Sequence, residues 1–339
     1  MTKKKFKKIK QKAPIMNHIK FNEVSDVKYA DFIDICRMTQ DELKGFLLEA
    51  LQLAKYKPLN GDGWVYAKGE IPILLTAHMD TVHKVQMYEY MEYTDAKGNH
   101  ILTSQDGIGG DDRCGIYMIL EIIKMGFRPS ILFCEDEEIG GVGSDKFIKT
   151  EEAKQLEKLN YMIELDRANS DDAVFYDCDN KDFTKYITEF TGYKKTYGSF
   201  SDISNLAPFA GIAAVNLSCG YYNAHTTSEE VNMEEMFHTI NIVSELLEDE
   251  TGKKVQFEYI PDACSLSNYY YGYDSSYCGE WFAPDDYIVE LDVIYVDKSG
   301  KEKEDTVEGC SEADAWTTFF MIHGDICFND VIDYYVCRI

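Results

Sequence analysis

Short apolar runs alternate with amphipathic segments between about residues 40 and 250 of this 339-residue chain. Six runs have the length and apolar content of buried strands: GWVYAKG, IPILLTAH, PSILFCE, LNYMIEL, DAVFY and GIAAVNL. Four segments carry apolar residues at helical spacing: LKGFLLEALQLAKY, RCGIYMILEIIKMG, KDFTKYITEFTG and MEEMFHTINIVSELLE. Thr39, followed three residues later by Glu42, predicts a capping box at the start of the first. Apolar strands that alternate with helices indicate a mostly parallel sheet covered on both faces, a three-layer α/β/α fold.

The pattern changes after Lys254. Residues 255–284 are rich in Tyr, Ser and Gly without clear periodicity, and they predict a connector. Residues 285–339 predict two strands joined by the turn KSGK, a helix from about Glu312 to His323 and a last strand, a small ββαβ appendage. With a frayed basic tail at 1–20 and a main domain at 21–254, the chain divides into four parts.

Charge and composition exclude several classes of protein. The net charge of −26, from 60 acidic and 34 basic residues, disfavours binding to nucleic acid or to an anionic membrane. No apolar run reaches the roughly 18 residues that a transmembrane helix needs, and no apolar segment of a signal peptide follows the basic N-terminus. The ten cysteines are scattered without a C-x-x-C pair, which favours reduced thiols in a cytoplasmic protein.

Five loops that follow predicted strands carry acids or histidines, and ligands of parallel sheets bind at this edge. Their sequences are HMD at 78–80, GGDDRCG at 109–115, EDEEIGG at 135–141, DR at 166–167 and NAHTTSEE at 223–230. Each has an ordinary structural explanation by itself, such as a hydrogen-bonded histidine, a helix cap or a solvated acidic turn. Two histidines with three or more carboxylates together form the ligand set of two divalent ions with nitrogen and oxygen ligation.

The ordered motifs H-M-D-T-V, G-G-D-D-R-C-G, D-E-E-I-G-G-V-G, E-L-D-R and N-A-H-T-T-S-E resemble those of the co-catalytic dizinc exopeptidase clan. This clan includes peptidase T, glutamate carboxypeptidases, aminoacylase, and leucyl and glutamyl aminopeptidases. The motifs occur in the clan's order over about residues 70–235. The resemblance implies a zinc-exopeptidase-like fold and two zinc ions, for which manganese or cobalt could substitute in a mixed nitrogen and oxygen site.

The resemblance also implies five metal ligands: His78, Asp111, Glu138, Asp166 and His225. His78 and Asp166 would bind one ion, and Glu138 and His225 would bind the other. Asp111 would bridge the two ions.

Two further residues receive catalytic roles from the same resemblance. Glu137 would be the general base, and Asp80 would hold the imidazole of His78 in orientation. Asp112 and Arg113 occupy positions that do not ligate metal in the clan.

One departure from the clan concerns the substrate. Peptidase T and its close relatives insert a lid domain, which binds the substrate carboxylate, between the last Asp and the last His motif. His225 follows Asp166 by only 59 positions here, which leaves no room for that lid.

The acids in the loops would instead attract a free α-ammonium group: Glu135, Asp136, Asp112, Asp202 and Glu229. Arg167 and Arg113 are the contrary observation, because either guanidinium group could bind a substrate carboxylate. The sequence therefore favours an aminopeptidase acting on short peptides. The alternatives are a carboxypeptidase or N-acyl-amino-acid amidohydrolase with the same metals, and a non-catalytic binding protein on the same fold. The oligomeric state is left open.

Overall fold

A mixed sheet of eight strands organises the first of the two units into which the chain divides, Met1–Tyr270 and Tyr271–Ile339. The computed structural model describes residues 7–9, 32–262, 289–309, 319 and 331–338. The strands of the first unit are β1 Lys7–Ile9, β2 Leu59–Gly61, β3 Trp64–Ala67, β4 Ile71–His78, β5 Tyr90–Thr94, β6 His100–Thr103, β7 Pro129–Cys134, β8 Tyr161–Arg167, β9 Asp172–Val174, β10 Lys194–Thr196, β11 Ala214–Ser218, β12 Tyr221–Tyr222 and β13 Glu230–Asn232. Its helices are α1 Phe32–Arg37, α2 Gln40–Leu53, α3 Gly110–Lys124, α4 Val142–Ile148, α5 Lys181–Thr191, α6 Ile203–Ala210 and α7 Met233–Glu248, with a 3₁₀ helix at Glu152–Lys158.

The large sheet has the strand order β10-β9-β11-β8-β4-β7-β3-β2. Its centre is parallel, because β4 pairs in parallel with both β7 and β8, and β8 pairs in parallel with β11. The strands β2 and β3 continue the sheet in antiparallel pairing beyond β7. The carboxyl ends of β4, β7, β8 and β11 therefore meet at one edge.

Both faces of this sheet are buried against helices. Alternate residues of the central strands enter two separate cores, as Leu75 and Leu74 do on β4. The core on one side receives apolar residues of α2, α3, α5 and α7. The core on the other side receives those of α4, α6 and the 3₁₀ helix. The three-layer α/β/α fold predicted from the sequence is confirmed.

The individual elements of the first unit follow the hydrophobic pattern closely. All six predicted strands are present, and the segment MEEMFHTINIVSELLE is helical from Met233 to Glu248. Helix α2 begins with the predicted capping box, since Thr39 accepts the backbone N–H of Glu42 and donates its own N–H to the Glu42 side chain.

A second, antiparallel sheet was not predicted. It has the strand order β1-β5-β6-β13-β12. The residues of β5 are half-buried or exposed, so this strand has no continuous apolar run by which the sequence could reveal it. Three residues of the basic tail, Lys7–Ile9, form β1 and pair with β5. Strand β1 thereby covers the edge of β5 that does not pair with β6.

The second unit contains a three-stranded antiparallel sheet with the order β15-β14-β16. Its strands are β14 Val289–Val296, β15 Glu302–Gly309 and β16 Val331–Arg338. The Asp297 carboxylate accepts the N–H groups of Ser299 and Lys301 in the predicted turn between β14 and β15. The predicted helix at Glu312–His323 lies outside the described residues except for Phe319, whose buried ring packs on Tyr295.

Two findings bear on the environment of the chain. Among the described helices, none combines the length and the apolar character that crossing a bilayer requires. Cys114, Cys134, Cys178 and Cys219 are buried thiols.

Candidate metal centre

The residues that the sequence predicts as metal ligands lie at the edge formed by the carboxyl ends of the parallel strands. His78 is the last residue of β4, and it lies beside Cys134 at the end of β7, which the acidic turn follows. Asp166 lies near the end of β8. Asp111 stands at the start of α3, which packs so closely on β8 that a Cβ atom at Gly115 would lie 1.9 Å from the carbonyl oxygen of Leu165. His225 lies in the loop between β12 and β13.

The buried imidazole of His78 contacts three carboxylates. Its Nε2 atom is 3.1 Å from Asp111 Oδ1 and 3.4 Å from Asp166 Oδ1. Its Nδ1 atom is 3.2 Å from Asp80 Oδ1. Burial lowers the pKa of His78, but the charge of Asp166 and the hydrogen bonds to the three acids outweigh it, and the pKa lies well above its usual value.

His225 approaches the same carboxylate from the other side. Its Nε2 atom is 3.1 Å from Asp111 Oδ2 and 3.1 Å from Glu138 Oε2. Hydrogen bonds to Asp111 and then to Glu138 raise the pKa of His225 to about 11. Its backbone adopts a φ of +64°, in the left-handed region that non-glycine residues enter mostly at turns and functional sites. Asp111 therefore directs one oxygen to each histidine.

The geometry and chemistry of this cluster fit divalent metal ions. Ligand atoms of His78, Asp111 and Glu138 all lie within 4.8 Å of one another, and those of His78, Asp112 and Asp166 do as well. The Oε1 atom of Glu138 is buried without a hydrogen-bond partner, which leaves a lone pair that a cation would satisfy. Imidazole nitrogens with carboxylate oxygens are the ligands that zinc and its substitutes accept.

Asp112 is the less suitable of the two neighbouring acids for metal binding. Its Oδ2 atom accepts the backbone N–H of His78 at 3.1 Å, and its Oδ1 atom accepts that of Gly115 at 2.9 Å. The buried Asp112 carboxylate thus ties β4 to α3, and Asp111 remains the better ligand.

Asp80 holds two parts of the site at once. Besides facing His78, its carboxylate accepts the backbone N–H of Glu137 at 3.0 Å and that of Glu138 at 3.1 Å. Burial raises the pKa of Asp80, but these hydrogen bonds and the one from His78 hold it below its usual value. Asp80 therefore orients the imidazole and also fixes the turn that carries both glutamates.

Glu137 extends toward the cluster, with its Oε2 atom 4.0 Å from His78 Nε2. Burial raises its pKa to about 10, and the charges of Asp166, Asp202 and Glu138 add to this effect. Burial likewise raises the pKa of Asp166 to about 7, with the charge of Asp111 adding to it. Such repulsion between carboxylates is what a bound cation relieves.

Behind these residues lies a further layer of buried acid that the sequence analysis missed. The Glu164 carboxylate is fully buried, where it accepts the hydroxyl of Ser201 and the backbone N–H of Ile203. Burial raises its pKa well above the usual value, and the charges of Asp166 and Asp202 add to this. The signal was present in the sequence, because Glu164 precedes Asp166 by two residues and extends to the same side of β8.

Glu229 has a different role from the one its sequence position indicated. Its side chain is fully buried, so it does not present a charge to a substrate. Its Oε1 atom accepts the backbone N–H of Asp111 at 3.0 Å, and its Oε2 atom accepts that of Gly109 at 2.8 Å. The Nε2 atom of His83 lies 2.9 Å from the same Oε2 atom. Glu229 thus clamps the loop that presents Asp111.

A mostly parallel sheet between two helix layers, with a histidine and carboxylate cluster at its carboxyl edge, is the zinc-exopeptidase fold. Residues 64–204 match the family model described as Peptidase family M28, a family of the co-catalytic zinc exopeptidase clan. The predicted resemblance to that clan is confirmed, and the family match supports a peptide hydrolase. The matched segment contains four of the five motifs, while His225 lies beyond it. No curated protein matches the sequence.

Two solved structures show the same fold. Aminopeptidase PepT from Bacillus cereus ATCC 10987 is 15% identical with a TM-score of 0.50, over 64% of this chain and 96% of that one. A tripeptidase from Staphylococcus aureus subsp. aureus Mu50 is 14% identical with a TM-score of 0.51, again over 64% of this chain and 96% of that one.

Proposed function

We propose that this protein is a dizinc aminopeptidase that removes the N-terminal residue of short peptides. The observation that carries the proposal is the position of Asp111 between His78 and His225, with one carboxylate oxygen 3.1 Å from each. A carboxylate shared in this way is the arrangement that a bridging ligand needs. The family match over residues 64–204 supports the same reaction class.

The residues divide between two ion sites. His78 and Asp166 would hold one zinc ion, Glu138 and His225 would hold the other, and Asp111 would bridge them. Ions held there would supply Lewis acidity toward water and toward the carbonyl of the scissile peptide bond. Manganese or cobalt could serve in the same ligand set.

Glu137 would carry the proton in the reaction. It lies beside His78 and belongs to no ion site, so its carboxylate is available to accept a proton from the attacking water and to deliver it to the departing amine. Positive charge brought into the centre would lower the pKa of Glu137 from its raised value toward the range of a general base. Asp80 would keep His78 and the Glu137 turn in place through its three hydrogen bonds.

Three observations support the amino end of the peptide as the end that is recognised. The turn that carries Glu137 and Glu138 also carries Asp136, whose half-buried carboxylate would attract an α-ammonium group and repel a carboxylate. Of the two cations that could bind a substrate carboxylate, Arg167 places its Nε atom 3.3 Å from Asp172 Oδ2, and Arg113 lines a cavity that contains no proposed metal ligand. The similar structures are named as an aminopeptidase and a tripeptidase.

The test compares one tripeptide in its free, N-acetylated and C-amidated forms, with metal content measured on the same preparation. We expect two ions per chain, cleavage of the free and amidated forms, and loss of cleavage on acetylation. Cleavage of the acetylated form alone would indicate an N-acyl-amino-acid amidohydrolase, and loss on amidation alone would indicate a carboxypeptidase. Bound metal without hydrolysis of any of the three tripeptide forms would indicate a non-catalytic binding protein.

A further inference from the structure

A cavity of about 290 Å³ lies next to the metal centre but is lined by different residues. Its wall is formed by α1, the start of α2, the loop after β4 and the residues before α3, and it includes Asp80, Thr81, His83, Lys84, Gly109 and Arg113. Among the residues described as lining it, none is a proposed metal ligand, and Glu137 is absent as well. The cavity therefore touches the centre only through Asp80.

Arg113 is the unusual feature of this wall. The residue is only 4% exposed, and its Nε atom is buried without a partner. Its NH1 group donates to the carbonyl of Ile35 at 3.5 Å, a long hydrogen bond. In the part of the chain that the structure describes, no carboxylate oxygen lies within 4.0 Å of its guanidinium group. A buried charge without an ion pair or good hydrogen bonds is unfavourable unless something else compensates it.

Burial lowers the pKa of Arg113 to about 10 although nearby acidic groups, Asp80 and Asp112 among them, favour its charged form, so the neighbouring groups compensate the buried charge only in part. Asp80 is the acid of the wall, and its two oxygens already face His78 and accept two backbone N–H groups. His83 directs Nε2 to Glu229, and Gln40 directs its amide to Asp136 at 3.3 Å. Lys84 adds a second cation to the wall.

We propose that this cavity binds a small oxyanion or carboxylate from solution, held by the guanidinium group of Arg113, at a site separate from the metal centre. The planar fork of arginine donors matches the two oxygens of such an anion. The cavity is larger than a phosphate ion, so a phosphate or a short carboxylic acid would fit there together with water molecules.

Inorganic phosphate and acetate are the probes, and binding is measured by calorimetric titration of the full-length chain before and after dialysis against a chelator. We expect saturable binding of one phosphate per chain that persists after metal removal, because Arg113 rather than metal holds the anion. Arg113→Met should weaken it at least tenfold, and Arg113→Lys should weaken it less. Arg167→Met is the matched control, because Arg167 is ion-paired with Asp172 and does not line the cavity. This variant should bind phosphate with the same affinity as the wild-type protein.

The readout does not use peptidase activity, so the proposed function can fail without affecting this proposal. Phosphate binding that disappears with the metal, or that is unchanged in Arg113→Met, would overturn it. If Arg113→Met does not fold, Arg113→Lys decides the question: weaker binding supports the site, and unchanged binding together with unchanged thermal stabilisation by phosphate contradicts it. Absence of saturable binding of either anion to the unchanged chain contradicts it too.

Discussion

The side chain of Asp80 links three parts of the site, and its position in the sequence explains how. His78 and Asp80 are two residues apart at the end of an extended strand, so both side chains extend to the same side. This contact could be predicted from the spacing alone. The two backbone hydrogen bonds from Glu137 and Glu138 could not, because they depend on how the turn after β7 folds beside β4.

Replacement of Glu137 tests the proton carrier. Glu137→Gln keeps the size of the side chain but removes the basic carboxylate, so kcat should fall at least about a hundredfold, the usual scale of general-base catalysis. Metal content should stay at two ions per chain. The matched control is Glu135→Gln in the same acidic turn, where the carboxylate faces Lys44 at 3.2 Å. Near-normal turnover of Glu137→Gln would assign the base to another residue.

Replacement of His225 tests the division of ligands between two ions. His225 contacts Asp111 and Glu138 but not His78 or Asp166, so His225→Ala should lower the metal content from two ions toward one. His238→Ala is the control, because His238 lies on α7 and its ring faces Tyr193. Two ions retained in His225→Ala, measured by mass spectrometry of the native protein, would contradict the assignment.

The raised pKa values also predict how metal affinity depends on pH. In the metal-free fold the pKa of Asp166 is about 7 and that of His225 is about 11, and both groups must release their protons to bind an ion. Higher pH therefore favours the bound state, and zinc affinity should rise steeply between pH 6 and pH 8. Zinc titrations with a competing chelator of known pH dependence would measure the slope. An affinity that is flat over this range would show that neither group ligates.

At the scale of whole elements, the parallel core followed from the sequence and the second sheet did not. Strand β7 is buried at every residue, and such a run is recognisable by its apolar content. Strand β5 is half-buried or exposed throughout, and its neighbour β6 pairs with β13, which lies far away in the sequence, so local pattern gives little signal. That missed sheet carries the strand that Glu229 precedes, which is why Glu229 was mistaken for a surface acid.

Glu229 tests how far the antiparallel sheet supports the metal centre. It joins the start of β13 to the loop before α3 by accepting N–H groups of Gly109 and Asp111. In Glu229→Gln an amide N–H₂ group replaces one of the two carboxylate oxygens, so a donor faces either these N–H groups or His83. The substitution should lower the free energy of unfolding by about 1–3 kcal/mol. Zinc affinity should fall as well, because the loop that positions Asp111 loosens. Glu245→Gln, at an exposed position of α7, is the control and should change neither quantity.

At the scale of the whole molecule, every residue of the proposed site lies in the unit Met1–Tyr270. The change in composition after Lys254 would place a boundary at that point, but residues beyond it pack into the same unit. Phe257 is buried, and its ring stacks on Tyr186 with centroids 5.2 Å apart. Its backbone N–H donates to Asn160 at 2.8 Å, and its carbonyl accepts from Ala213 at 2.8 Å. A local change of composition does not reveal such long-range contacts.

Two truncated chains test whether the first unit ends near Lys254 or at Tyr270. A chain that ends at Tyr270 keeps Phe257 and all proposed ligands, so it should fold and bind two zinc ions with an affinity close to that of the full chain. A chain that ends at Thr251 loses the Phe257 ring and its backbone pairing, and the removal of such a buried aromatic side chain costs about 3–5 kcal/mol. It should therefore unfold at a markedly lower temperature in calorimetry. If the chain ending at Tyr270 is folded by circular dichroism yet binds no zinc, the second unit must complete the metal centre.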